Sequence, residues 1–475
     1  MLDDKLKALW ARISPPQKAA FFGCFLSGYL VHLYVFTNII PNSDGLSRIF
    51  DPQQMTVSGR WFLHFASYFN GFTQMPAVIG LFSVLFLALA AALAVSLLGI
   101  RSRALSALSG ALMAAFPAVG YTFLYLFTAS AYCFAIFLAV LSVSLARRGR
   151  WHWLAGCLLL ACSMGTYQAY VTVAIGLSLL VIFRETLDPS ASFSATLRLG
   201  VRLMLFLAAG AVLYYGILLV FLQVKDLELL SYLGMDAASS GYPFSRLPGL
   251  LLDTYKQVAA FFFLPGSANT FTSGWMAVLD LAALALGGGC FLLCMGQEGL
   301  WRARWRPLGG LAMLALLPLG INFGQILSPW SAPTPLMKYA FVLVYLAVVL
   351  LADRALPAAG AGASVLRRRA APCAALWLVL LLLFSLNTNN RLYTASAQAH
   401  RATLSYATRL ASRIESCPGY THGMPVYLIG SFPTDRVHNS VEGFAQVDHY
   451  SVPLDTVAPL TNHIFSYFRD WLNLP

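Results

Sequence analysis

Apolar runs recur along nearly the whole chain, and their edges predict about eleven membrane helices, at 19 to 40, 77 to 100, 104 to 122, 128 to 146, 153 to 165, 168 to 183, 203 to 223, 272 to 295, 308 to 327, 338 to 352 and 371 to 387. A bilayer core takes about 20 helical residues, so the fifth and sixth elements are short for ordinary spans. They stay separate, meeting at Gly165-Thr166-Tyr167-Gln168. A single fused helix would reverse every later loop and move Arg184, Arg198, Arg202 and the Arg302 to Arg306 cluster away from the other basic loops. Such a broken pair needs protein or a water-filled cavity around the break. Ahead of the first span, residues 2 to 13 read as a surface helix with Leu2, Leu6, Leu9, Trp10 and Ile13 on one face and Lys5, Lys7 and Arg12 on the other, ended by Pro15 and Pro16.

Charge orients this map. With the N-terminus inside, 19 of the 31 Lys and Arg residues fall in inner loops, 6 in outer loops and 6 in the C-terminal tail, a strong positive-inside pattern. The net charge of +12 therefore sits beside anionic headgroups and argues against a nucleic-acid partner. Length alone would suggest several soluble domains, but a composition that is 59% apolar overrules it. The first apolar run lacks a small-residue cleavage pattern and is expected to remain in the mature protein. Seven cysteines lie in or near spans, which leaves Cys417 alone in the tail with no partner for a disulfide. The expected fold is thus mainly α and polytopic: an inner-face helix over 1–18, a membrane domain over 19–387 with outer loops 41–76 and 224–271, and a small outer α/β domain over 388–475. In that tail, His400 to Glu415 suits a helix, Met424 to Gly430 a buried strand, and Ile464 to Phe468 another short apolar element.

Polar chemistry gathers on the outer face. Loop 41–76 carries Asp44, Arg48, Asp51 and Arg60, then Trp61, Phe65, Tyr68 and Phe69 at helical spacing, which suits an interfacial helix holding Asp44 and Arg60 near the membrane surface. The competing reading of Asp44 is a solvated turn. Loop 224–271 is mostly a solvated charged face, with a mobile lid as the alternative. Asp280 is an acid within a span, facing either a functional cavity or a structural partner. Lys338, behind the Pro-rich stretch from Ser328, is read as either a snorkelling cation or a phosphate ligand. Five histidines of the tail show no metal-ligand spacing.

The order Ser43-Asp44-Gly45-Leu46-Ser47-Arg48, Ser58-Gly59-Arg60-Trp61, Gly165-Thr166-Tyr167-Gln168-Ala169-Tyr170, Leu336-Met337-Lys338-Tyr339 and Met424-Pro425-Val426-Tyr427-Leu428-Ile429-Gly430 resembles the serotype-converting bacteriophage glucosyltransferases and their bacterial relatives. That family resembles the GT-C class of multispan glycosyltransferases. The resemblance implies a bacterial inner-membrane enzyme that takes a hexose, glucose in the type case, from a polyprenyl (undecaprenyl) phosphate carrier to an outer-face glycan such as O-antigen. It implies no further cofactor, and a separate donor synthase and flippase as partners. Many relatives carry two adjacent acids where this chain has Ser43-Asp44, so Asp51 is the second carboxylate considered. The chemistry fits the residues: Asp44 as general base for the acceptor hydroxyl, Arg60 and Lys338 on the donor phosphate, and Tyr167, Gln168 and Tyr339 on the sugar, with Arg48 and Asp280 as further candidates. The rival class is a transporter or flippase for a lipid-linked glycan, favoured by a helix break and an intramembrane acid. It is disfavoured by the absence of internal duplication and by polar residues crowding at one interface.

Overall fold

A computed structural model describes residues 2–42, 44–46, 49–229, 244–265, 273–297, 299–328, 334–356, 365–427 and 461–474. The N-terminal helix α1 (Leu2–Arg12) meets α2 (Pro15–Thr37), whose first residues are Pro15 and Pro16. The prolines thus open the first span, where their missing N–H groups cost nothing. Ser14 caps it, accepting from the Gln17 N–H while its own N–H donates to Gln17 Oε1 at 2.9 Å. Next come α3 (Leu63–Ala66), α4 (Pro76–Leu98), α5 (Arg103–Ala115), α6 (Pro117–Leu124), α7 (Leu126–Ala146), α8 (Arg150–Thr166), α9 (Val171–Thr186) and α10 (Phe193–Lys225). The chain continues through α11 (Leu247–Phe263), α12 (Gly274–Gln297), α13 (Trp305–Ile321), α14 (Phe323–Leu327), α15 (Val342–Arg354), α16 (Val365–Glu415) and α17 (Thr461–Ser466).

Nine helical stretches among the described residues are long and apolar enough to cross a membrane. The expected eleven all recur as helices, but α8 and α13 have only 17 residues each, roughly 25 Å, and fall short of that count. The α8–α9 break is present: Tyr167 is extended (φ −156°, ψ 114°), and a 3-10 turn over Gln168–Tyr170 leads into α9. The third span is also broken. Pro117 has no N–H, Phe116 is extended at ψ 130°, and the last carbonyls of α5 lose their helical donors. Three other segments replace them. Tyr339 Oη donates to Met113 O at 3.3 Å, His32 Nε2 to Ala114 O at 2.9 Å, and Asn389 Nδ2 to Ala115 O at 2.8 Å. Because a carbonyl can only accept, Nε2 carries the His32 proton, and Nδ1 accepts from Tyr393 Oη at 2.6 Å.

The basic loops assigned to one side do meet at one end. Arg101 pairs with Asp353 at 3.6 Å, Arg147 with Glu185 at 3.5 Å, and Arg184 Nη1 donates to Leu97 O at 2.8 Å. Buried Arg306 donates to the carbonyls of Thr186, Asp188, Pro189 and Ala191, closing the turn between α9 and α10. In that turn, hydrogen bonds from Ser190 hold the Asp188 carboxyl below its ordinary pKa.

The tail departs from expectation. A domain boundary at 388 follows the fall in hydropathy, yet α16 is one helix of 51 residues. Hydropathy falls there while the helix continues, and no Gly or Pro between 388 and 415 stops it. At roughly 75 Å it is more than twice the thickness of a bilayer core. The α/β character is not found among the described residues: Met424–Tyr427 form no strand, Leu428–Gly430 lie outside the described residues, and Ile464–Phe468 are helical.

Candidate functional site

Loop 41–76 folds into a small lobe. Its ends pair at Phe50 and Thr73, with Asp51 N donating to Phe72 O and Gln74 N to Ile49 O, both at 2.9 Å. Gly71 and Phe72 take left-handed turns (φ 60° and 61°), and Phe72 N donates to Asn70 Oδ1 at 3.0 Å. His64 bonds Pro52 O at 2.6 Å and stacks on Phe72. The interfacial helix expected over 61–69 is a single turn, α3, followed by a 3-10 turn; Phe65, Tyr68 and Phe69 are exposed, while Trp61 is buried.

Trp61 docks the lobe into the α8–α9 break. Its ring lies so close to Gly165 that a Cβ there would come within 2.5 Å of it, and it stacks on Phe221 of α10. Phe62 N donates to Gly165 O at 2.7 Å. Consequently Ser58-Gly59-Arg60 is held against the break: Gln168 Nε2 donates to Ser58 O at 2.9 Å and to Tyr214 Oη at 3.1 Å, and Tyr214 Oη donates to Gly59 O at 3.1 Å. Arg60 places its guanidinium 4.9 Å from the Tyr167 ring and donates to Tyr132 Oη at 3.2 Å, while Tyr132 and Tyr167 stack with centroids 4.5 Å apart. A cation, an amide and three phenols thus converge at a helix break beneath the lobe, a setting where charge interactions are strengthened.

The other expected cation lies on a turn packed against the same break. Pro335–Phe341 form a 3-10 turn that packs on α6 and on the Gln168–Tyr170 turn. Lys338 is buried there, its Nζ 5.6 Å from the ring of Phe261. Phe261 belongs to the end of α11, so Ala259–Leu264 of the proposed lid includes a buried packing surface. The neighbouring stretches 230–243 and 266–272 lie outside the described residues. Tyr339 is buried with its hydroxyl on Met113 O, and Asp280 is buried with Oδ1 accepting from Tyr345 Oη at 2.8 Å. The partner of Asp280 Oδ1 is therefore a phenol, while its Oδ2 is buried without a hydrogen-bond partner among the described residues.

Asp44 is exposed on a turn whose Gly45 N–H donates to Asn42 Oδ1 at 2.8 Å. Asp51 is half-buried and accepts from Gln53 N at 2.8 Å. Arg48 lies outside the described residues. Leu46, two residues from Asp44, is fully buried in a second apolar cluster with Ala407, Ala411, Ile464, Tyr467 and Phe468, and Trp471 Nε1 donates to Leu46 O at 3.1 Å. Sequence reasoning missed Gln53. Its side chain is 1% exposed, its backbone is left-handed (φ 58°), and neither amide atom has a hydrogen-bond partner. Its carbonyl accepts from Met55 N, whose own carbonyl accepts from Arg60 N. Strain and an unsatisfied amide in one residue concentrate at working sites, but a lone Gln carries no mark of either in the sequence.

A polytopic helical protein with a cation stacked on a phenol at a helix break, a second buried cation on a turn packed against that break, and a lobe that carries two carboxylates is the kind of molecule expected of a membrane glycosyltransferase. The family comparison makes this specific: residues 33–384 match the model of the family described as Glucosyl transferase GtrII, and the chain belongs to that family. The match takes in the lobe, the break and the Lys338 turn, and ends within α16. Neither a curated protein nor a solved structure matches the chain.

Proposed function

We propose that the protein moves a hexose, glucose by its family, from a polyprenyl phosphate carrier to a glycan acceptor on the outer face of the bacterial inner membrane, with the N-terminus inside and the tail outside. The observation that carries this reading is Arg60, held on the Tyr167 ring beside Gln168, with the Lys338 turn packed on the Gln168–Tyr170 turn of the same break. In the proposed step Asp44 takes the proton of the acceptor hydroxyl, with Asp51 next in line, as that oxygen bonds to the sugar's anomeric carbon. The bond from that carbon to the phosphate oxygen breaks, and polyprenyl phosphate leaves. Arg60 and Lys338 stabilise its developing charge, and the aromatic and amide groups at the break orient the ring. A donor synthase and a flippase supply the substrate. The tail, clasped on Leu46, forms the acceptor-side wall. Purified protein in detergent should consume a polyprenyl phosphate sugar and glycosylate an acceptor glycan with no ion gradient. Movement of an intact lipid-linked glycan across vesicles without transfer would instead establish a flippase.

A further inference from the structure

At the arginine-rich end of the molecule, away from the break, α8 and α10 line a cavity of about 570 Å³. Its lining includes Arg150, Arg198 and Arg202 together with Trp153, Leu154 and Leu205, and no lining residue is acidic. Arg202 is fixed, its Nε donating to Ala146 O at 2.6 Å and its Nη2 to Arg148 O, so that it closes the C-terminal end of α7. Arg198 bonds only within its own helix, to Ser194 O at 3.3 Å, and Arg150 lies over the ring of Trp151. Neither forms an ion pair with any described carboxylate, unlike Arg147 and Arg184 nearby, which share Glu185. Leu154 and Leu205 are exposed, as is most of the apolar stretch of α10.

We propose that this cavity binds the headgroup of an anionic diacyl phospholipid. Three guanidiniums without a counter-carboxylate call for a phosphate, and Arg matches phosphate oxygens in bidentate fashion. The flanking leucines and the bilayer-facing side of α10 suit acyl chains attached to that phosphate, which a free anion would leave unused. A positive-inside bias alone would place cations in these loops but would not gather three around one concavity with apolar walls. Such a lipid would clamp α8 to α10. Both helices also touch the break, α8 ending at Tyr167 and α10 presenting Tyr214 to Gln168 farther along its length, so the clamp would steady the proposed site.

The test is native mass spectrometry, with lipid titration into phosphatidylcholine nanodiscs, of the full chain and of an Arg150→Gln/Arg198→Gln double variant. Arg202 is left intact because it holds α7. The full chain should retain phosphatidylglycerol in preference to phosphatidylcholine. The double variant should bind phosphatidylglycerol roughly 30-fold more weakly, at about fivefold per cation near a membrane surface, with its melting temperature in pure phosphatidylcholine unchanged. An Arg198→Lys variant, keeping charge and losing the fork, should fall between the two. Equal retention of both lipids by the full chain, undiminished phosphatidylglycerol binding by a folded double variant, or displacement of the lipid by millimolar inorganic phosphate would each overturn the proposal.

Discussion

Replacing Gly165 with Ala adds one methyl group where the structure has no room for it. The new Cβ would come within 2.5 Å of the Trp61 ring, against the roughly 3.5–4.0 Å that carbon atoms prefer, so something must yield by about 1 Å. The ring is not free to move, because it stacks on Phe221 and the next residue's N–H is bonded to Gly165 O. Overpacking of this kind costs about 1–3 kcal/mol. The larger effect should fall on chemistry: Arg60 adjoins Trp61, and a displacement of about 1 Å at a positioning residue costs on the order of 100-fold in rate. Gly165→Ala should therefore melt several degrees lower in detergent and lose transfer activity out of proportion to its folded fraction. A double-mutant cycle with Trp61→Leu isolates the cause. If the smaller side chain makes room, the double variant should be at least about 1 kcal/mol more stable than the sum of the two single changes. A Gly165→Ala protein with normal melting and turnover, or a cycle additive within about 0.5 kcal/mol, would refute the docking account.

Asp44→Asn should lower turnover on the order of 100 to 10,000-fold with little change in donor binding, whereas retention of more than half the activity would pass the role to Asp51. Arg60→Ala and Lys338→Ala should each weaken binding of polyprenyl phosphate while a soluble acceptor binds as before; equal losses for both ligands would indicate damage to the fold. Gln53→Met removes a buried unsatisfied amide, so thermal stability should rise by on the order of 1 kcal/mol while transfer slows, and a gain in both would deny Gln53 a role at the site. Trp471→Ala should loosen the tail, seen as faster amide exchange over 404–415, and should alter acceptor use more than donor use; an unchanged acceptor KM would reduce the tail to a cap.

Much of this architecture was legible because a bilayer imposes simple rules. Apolar run length located the helices, and the arginine distribution correctly kept α8 and α9 apart. The break at Phe116–Pro117 was not foreseen, since its missing hydrogen bonds are restored by His32, Tyr339 and Asn389 from distant segments, and no local pattern announces that. Hydropathy falls near residue 388 without revealing that one helix runs through that point, because it reports the surroundings of a helix and not its continuity. At the site, Arg60, Tyr167 and Gln168 could be nominated as polar residues beside a break and do meet. Tyr339 bonds the Met113 carbonyl and Asp280 accepts from Tyr345, partners that no sequence pattern announces. Gln53 escaped notice because its distinction lies in φ and burial, which composition does not encode.

The continuity of α16 makes it a screw gauge between the two halves of the molecule. Asn389, bonded at the Phe116 break, and Ala407, packed beside Leu46, are eighteen positions apart, five full turns, so they lie on one face. Tyr393, Ser396, His400 and Thr403 fill the buried stripe between them. Height and rotation of the tail above the lobe are therefore locked to the same thread. One residue inserted between Thr394 and Ala399 would lift the tail by only about 1.5 Å but swing its contact face by about 100°, unclasping Leu46. Seven inserted residues would nearly restore the facing while raising the tail by about 10 Å. Length variation in this segment among functional relatives should therefore come in steps close to whole numbers of turns, about seven, eleven or eighteen residues.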